Sequence, residues 1–323
     1  MGQRSGADAY DVVVVGGSFA GLQAALTLGR ACRRVLVLDD GAPRNATAVA
    51  VNNFLGQRRP RPADLLGTAR EALAEYAVDL VSARALALEP SGRRWRAHCS
   101  DGSVHVARRL LLATGLAEEL PPIPGLAALW GTLAVACPHC HGWEVRGEPV
   151  AQVGFRGSLD RSAQRAILVS RWSARTTLFT QGDAVDGARR EQLHRAGVLV
   201  DDRPVERLER GEAGVDIVTA DGARLPQRSV FIATRQRQQS ALARSVGCSF
   251  SGDGPEYGAV MTDEAGRTDV AGVWAAGTMA NPALLAVAAA GHAATVAVAL
   301  HADLLAEDLA SAPSASSPAQ TSV

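Results

Sequence analysis

The sequence predicts an α/β protein of two domains, each built on a parallel sheet, with the second inserted into the first. Three observations predict it. A strand, glycine turn, helix and strand open the chain; a second such unit follows a proline-rich linker; the style of the first returns near the end. A length of 323 residues is also too great for one ordinary domain and suits two hydrophobic cores.

The elements follow in order. Four valines at 12–15 form a buried strand, 16–21 a glycine turn, then a helix to about Ala31 and a strand at 34–38. A helix is expected over 62–76, then two or three strands with Asp101 and Gly102 as a hairpin turn. Residues 109–113 read as another buried strand, turning at Thr114 and Gly115. Pro121, Pro122, Pro124 and Gly125 are the clearest linker. The second unit runs from a strand at 149–153 through an Ala/Arg helix to a strand at 176–179. Its last strand, 229–233, precedes a polar run at 235–239. The first domain's style resumes at 272–277, followed by an Ala-rich helix. We therefore expect residues 1–118 to begin a nucleotide-binding domain, 119–245 to be the inserted module, 246–310 to complete the first domain and 311–323 to be a disordered tail.

Composition narrows the function. Apolar residues are 47 % and charged residues 20 %, which is globular. Thirty-three basic residues balance thirty-three acidic ones, which excludes a nucleic-acid binder relying on a broad positive footprint. Every basic residue is Arg, so a Schiff-base lysine and a P-loop lysine are excluded. Five cysteines are too few and too scattered for a secreted disulfide framework, and the first apolar run reads as a strand rather than a signal peptide. The apolar stretch 283–300 has the length of a membrane span, but its Ala and Val content, with Gly291 and His292 inside, reads as a buried helix. A soluble, cytoplasmic protein is expected.

The first glycine turn points to a dinucleotide. Gly16, Gly17, Ser18 and Gly21 stand where a fingerprint places its glycines, with Ser18 in the middle position. Gly16 permits the tight turn, Gly21 lets helix approach strand, and the helix N-terminus offers amides to a pyrophosphate. Asp39, eighteen residues beyond Gly21, can accept ribose hydroxyls, which favours an unphosphorylated adenosine ribose as in FAD or NAD.

The most informative stretch is Cys137, Pro138, His139, Cys140, His141 and Gly142. The two cysteines are spaced to close a small redox ring, with thiolates favoured by helix amides. The same spelling serves c-type haem attachment, zinc sites and inert core cysteine. Haem attachment requires an exported apoprotein. Zinc requires further ligands, and Cys99, His98 and Cys248 are scattered singly. His141 can exchange the thiol proton near neutral pH. His292 is either a packed core histidine or a second acid/base group at the redox centre.

Together these motifs resemble low-molecular-weight thioredoxin reductases, from about Asp11 to about Leu305. The resemblance implies two Rossmann-like, three-layer ββα domains with FAD in the split one. It implies that Cys140 lies beside the flavin and that Cys137 exchanges with thiols. It assigns FAD contacts to Asn53, Thr114, Gly115 and Gly277, with Thr278 where the family has Asp. The inserted domain departs from the family. Phe155 and Arg156 occupy its glycine turn, and Asp183 ends the next strand where the family grips a 2′-phosphate with arginines.

A flavoprotein with a cysteine pair and no nicotinamide site resembles the dithiol oxidases of gliotoxin and holomycin type. These share the Cys-Pro-x-Cys-His-Gly stretch and a Ser in the first turn. The resemblance implies a homodimer that takes a small dithiol through Cys137, Cys140 and His141, passing electrons to FAD and O₂ to give H₂O₂. It also leaves a disulfide reductase with an atypical donor, or a flavin redox sensor, as alternatives.

Overall fold

The computed structural model describes residues 9–312. Its core is a seven-stranded sheet ordered Val78–Val81, Val35–Leu38, Tyr10–Val15, Val104–Leu112, Arg94–Cys99 and Ala85–Ser91. Val273–Ala275 pairs in parallel with the last residues of Val104–Leu112, Trp274 opposite Leu111. The late segment thus completes the sheet begun by the first residues, as a split domain requires.

Alternation along the first strand sorts its valines to two faces. Val12 and Val14 pack under the helices Phe19–Arg30 and Ala286–Ser311, while Val13 and Val15 face Trp95 and Met279. Ala286–Ser311 is long and apolar enough to cross a membrane by length and composition. Its Ala293, Val296, Ala297, Leu300 and Leu304 instead join Ala24, Ala25 and Leu28 in one core, where small side chains let the two helices approach closely.

The second sheet is parallel and five-stranded: Val198–Asp201, Arg175–Phe179, Pro149–Gly154, Ser229–Ala233 and Ala134–Val135. A three-stranded antiparallel sheet, Val205–Arg210 with Val215–Thr219 and Arg224–Gln227, shares its apolar core and supplies the third layer. Leu116–Glu119 and Arg235–Gln238 pair antiparallel, so the strand leaving the first sheet lies beside the strand returning to it. An inserted domain needs its two linkers adjacent, and this ribbon holds them. The polar run expected after residue 233 is therefore a strand.

Two further expectations are adjusted. The helix expected over 62–76 is Pro62–Glu71, because the chain turns so that Tyr76 can reach Arg30, 2.8 Å from its hydroxyl. The tail expected from Ser311 falls mainly outside the described residues, and Ser311 itself ends the long helix.

Candidate functional site

One cavity of about 970 Å³ runs from the first glycine turn to the cysteine pair, at the upper end of the range for ligand pockets. At one end the backbone requires glycine. Gly16 holds φ at +107°, and a Cβ there would sit 2.4 Å from the Ala113 carbonyl oxygen. A Cβ on Gly21 would lie 1.7 Å from the Gly16 oxygen. Ser18 caps Phe19–Arg30 without a side-chain bond, so the first helix amides stay open toward the cavity. Asp39 Oδ1 accepts the Gly17 N–H at 3.1 Å, and its Oδ2 accepts from Arg70 at 2.9 Å. A carboxylate has lone pairs beyond those two, which leaves Asp39 able to meet ribose hydroxyls from the cavity wall.

At the other end Cys137 and Cys140 form a disulfide. Cys137 caps the short helix Pro138–His141, and its Sγ accepts the Cys140 N–H at 3.2 Å. Gly142 ends that turn because a Cβ there would press the Trp172 ring at 2.7 Å. His139 meets the same indole edge-on at 5.7 Å, so its ring is engaged by packing. His141 lies with Nδ1 3.4 Å from the Cys137 carbonyl oxygen. A carbonyl only accepts, so Nδ1 carries the proton and Nε2 holds the free lone pair. Burial pushes the His141 pKa below its ordinary value, against smaller opposing effects of the Cys137 carbonyl and the Glu144 carboxylate. The ring is therefore a neutral base at pH 7.

The second glycine turn is built differently. Gly157 N–H donates to Asp183 Oδ2 at 2.6 Å, as Gly17 N–H donates to Asp39 in the first turn, but residues 154–158 do not line the cavity. Arg156 donates to the Gln181 carbonyl at 3.3 Å, and the Arg235 guanidinium lies 4.6 Å over the Phe155 ring.

Gly16, Gly17, Ser18, Asp39, Asn53, Thr114, Gly115, Thr278, Cys137, Cys140 and His141 all line the one cavity. Gly21 and Gly277 stand behind it; a Cβ on Gly277 would lie 2.7 Å from Ala20. The acid/base option for His292 is corrected. Its Nδ1 accepts the Gly277 N–H at 3.1 Å, which places it behind the late glycine turn rather than on the cavity wall. Asn52, beside the expected FAD contact Asn53, also lines the cavity and meets the redox centre, and the sequence carried no signal for it. Asn52 Nδ2 donates to the Cys140 carbonyl at 2.8 Å, while Arg59 donates to its Oδ1 at 3.1 Å. Arg70 was also missed; a lone arginine on an exposed helix carries no pattern that points to Asp39.

A split nucleotide domain whose cradle shares a cavity with a redox disulfide defines a flavin-linked disulfide oxidoreductase. The chain belongs to the pyridine nucleotide-disulphide oxidoreductase family, which matches residues 10–295. It is similar to thioredoxin reductase tcpT of Claviceps purpurea, 28 % identical over 83 % of this chain and 85 % of that protein. Thioredoxin reductase sirT of Leptosphaeria maculans is 27 % identical over 84 % and 88 %. Among solved structures, HlmI superposes with a TM-score of 0.88 at 34 % identity, covering 94 % of this chain and 95 % of that one. The protein is an oxidoreductase and a FAD-binding flavoprotein. The glycine cradle, open helix amides and Asp39 fit that cofactor.

Proposed function

We propose that the protein is a FAD-dependent oxidase that closes an intramolecular disulfide in a small dithiol. One observation carries this reading: the disulfide shares its cavity with the first glycine turn, while the second turn lies off that cavity and carries Phe155 and Arg156. On this reading electrons enter from a thiol and not from a pyridine nucleotide.

A substrate thiol gives its proton to His141 Nε2. The thiolate attacks Cys137 Sγ, forming a mixed disulfide and breaking the Cys137–Cys140 bond, and Cys140 leaves as a thiolate. The second substrate thiol loses its proton to solvent and attacks the first substrate sulfur, closing the ring and releasing Cys137 as a thiolate. The Cys140 N–H that meets Cys137 Sγ at 3.2 Å stabilises the Cys137 thiolate released in this second step. Two thiols are oxidised and one enzyme disulfide is reduced. Gly16, Gly17, Ser18, Asp39, Asn53, Thr114, Gly115 and Thr278 would hold FAD, which would supply a two-electron acceptor able to react with O₂. Asn52 fixes the Cys140 carbonyl and hence the turn that carries the leaving sulfur.

The test is a comparison of reductants. Mixed without air, the yellow protein bleaches with a small dithiol and stays yellow with NADPH; admitting air restores the colour with stoichiometric H₂O₂. Rapid bleaching by NADPH identifies a reductase instead, and no bleaching by either identifies a sensor.

A further inference from the structure

The cavity wall contributed by the inserted domain is the helix Leu159–Val169. Its residues Arg161, Gln164, Arg165 and Leu168 all line the cavity, at the spacing of one helical face. Arg165 Nη1 donates to the carbonyls of Ala136 and Ile232, the latter at 3.2 Å. Arg161 Nη1 donates to the Thr234 carbonyl at 3.3 Å. These carbonyls lie at the carboxyl end of Ser229–Ala233 and immediately before Cys137, where α/β sheets present their ligand crevices.

The charges here do not balance. Among the described residues, neither Arg161 nor Arg165 has a carboxylate within ion-pair distance. The acid that faces them, Glu118, is held by Arg44 and by the Thr234 hydroxyl. Three guanidiniums thus share one carboxylate on the cavity wall. Pinning carbonyls needs only a neutral donor, whereas Arg165 brings a half-buried charge whose facing carboxylate, Glu118, is already paired with Arg44. Burial depresses the Arg165 pKa, yet a guanidinium stays protonated at any physiological pH. A ligand carboxylate would complete the set, and the planar fork of Arg matches it.

We infer that Arg161 and Arg165 form a carboxylate-recognition subsite beside Cys137, so that the dithiol this cavity prefers carries an anionic group. This rests on the oxidase reading for the word dithiol, but not for the site itself.

Lipoate and lipoamide share one dithiolane and differ in charge, which makes them the probes. Titrated calorimetrically into the oxidised holoenzyme, lipoate binds about tenfold more tightly than lipoamide. That preference shrinks with added salt. It falls toward unity in Arg161→Met/Arg165→Met and is largely kept in Arg165→Lys. Should the double variant fail to fold, Arg161→Met alone carries the test, because that side chain is exposed and weakly bonded; it loses about threefold of the preference. Equal affinity for the two probes, no measurable lipoate binding, or a preference undiminished by Arg161→Met overturns the inference. Oxygen uptake with dihydrolipoate and dihydrolipoamide is measured separately. Uptake with neither overturns the oxidase reading and leaves the binding result standing.

Discussion

The two glycine turns of this molecule descend from the same local plan, strand, turn and helix, and they end in opposite states. In the first, Gly16 and Gly21 bring helix and strand so close that a single Cβ would strike backbone, and the cap leaves the helix amides open. In the second, Asp183 lies 2.6 Å from the Gly157 N–H and Phe155 lies under Arg235. The topology is retained in both, so topology does not make a nucleotide site. A carboxylate of the chain accepts an amide in each turn; what differs is that the first opens on the cavity, whereas residues 154–158 lie off it and include Phe155 and Arg156.

Paired substitutions break that comparison most directly. Gly21→Ala places a Cβ 1.7 Å from a backbone oxygen. It should cost about 3 kcal/mol and abolish FAD retention, read from thermal melts and from the flavin-to-protein absorbance ratio. Gly154→Ala meets the Ser162 hydroxyl at 2.2 Å, and a hydroxyl can rotate. It should cost about 1 kcal/mol and leave the protein yellow. Equal loss of FAD in both would show that the two turns are not functionally different.

At the far end of the first turn's cavity, His141→Ala should lower dithiol turnover by about 10²–10⁴-fold while leaving FAD bound. Cys140→Ser should abolish turnover with the flavin spectrum retained. A variant at Cys140 that still turns over would remove the disulfide from the reaction.

How much of this was legible in the sequence depended on whether the signal was local. The valine strand, the glycine spacing and the cysteine pair are each written in a few consecutive residues, and their placement follows from them. Partners distant in sequence were not legible. Arg70 meets Asp39 from thirty-one residues away, and Asp183 meets Gly157 from twenty-six. Asp183 was legible as a charge hostile to phosphate, but not as the acceptor of the Gly157 N–H. The bond from Asn52 to the Cys140 carbonyl spans eighty-eight residues and leaves no local trace. His292, alone on an alanine helix, carried no sign of its bond to Gly277.

A smaller effect sharpens the contrast from the second turn. Asp183→Ala frees the Gly157 amide but leaves Phe155 and Arg156 in the turn. Pyridine-nucleotide binding by isothermal titration should strengthen by less than about tenfold, since one charge-assisted hydrogen-bond site is reopened in a turn still too crowded for a pyrophosphate. Adding Phe155→Gly and Arg156→Gly should strengthen it further. A triple variant that binds no better than wild type would place the block elsewhere.

The smallest effects come from pH, and they separate the two ends of the cavity. Burial lowers the pKa of both His141 and His292. A histidine with a depressed folded pKa contributes stability that is complete above its unfolded value of about 6.5 and is lost as pH falls through the folded value. The melting temperature should therefore be flat above about pH 6.5 and decline below it. For His292 the cause is direct, because protonated Nδ1 can no longer accept the Gly277 N–H. His292→Gln should remove part of that decline and leave the pH profile of turnover in place. The turnover profile belongs to His141, whose neutral form is the base, so its rising limb should lie below pH 6.5. The Glu144 carboxylate opposes the depression, so Glu144→Gln should move that limb further toward acid. A limb that follows His292→Gln instead would put the working base at the FAD turn and not at the disulfide.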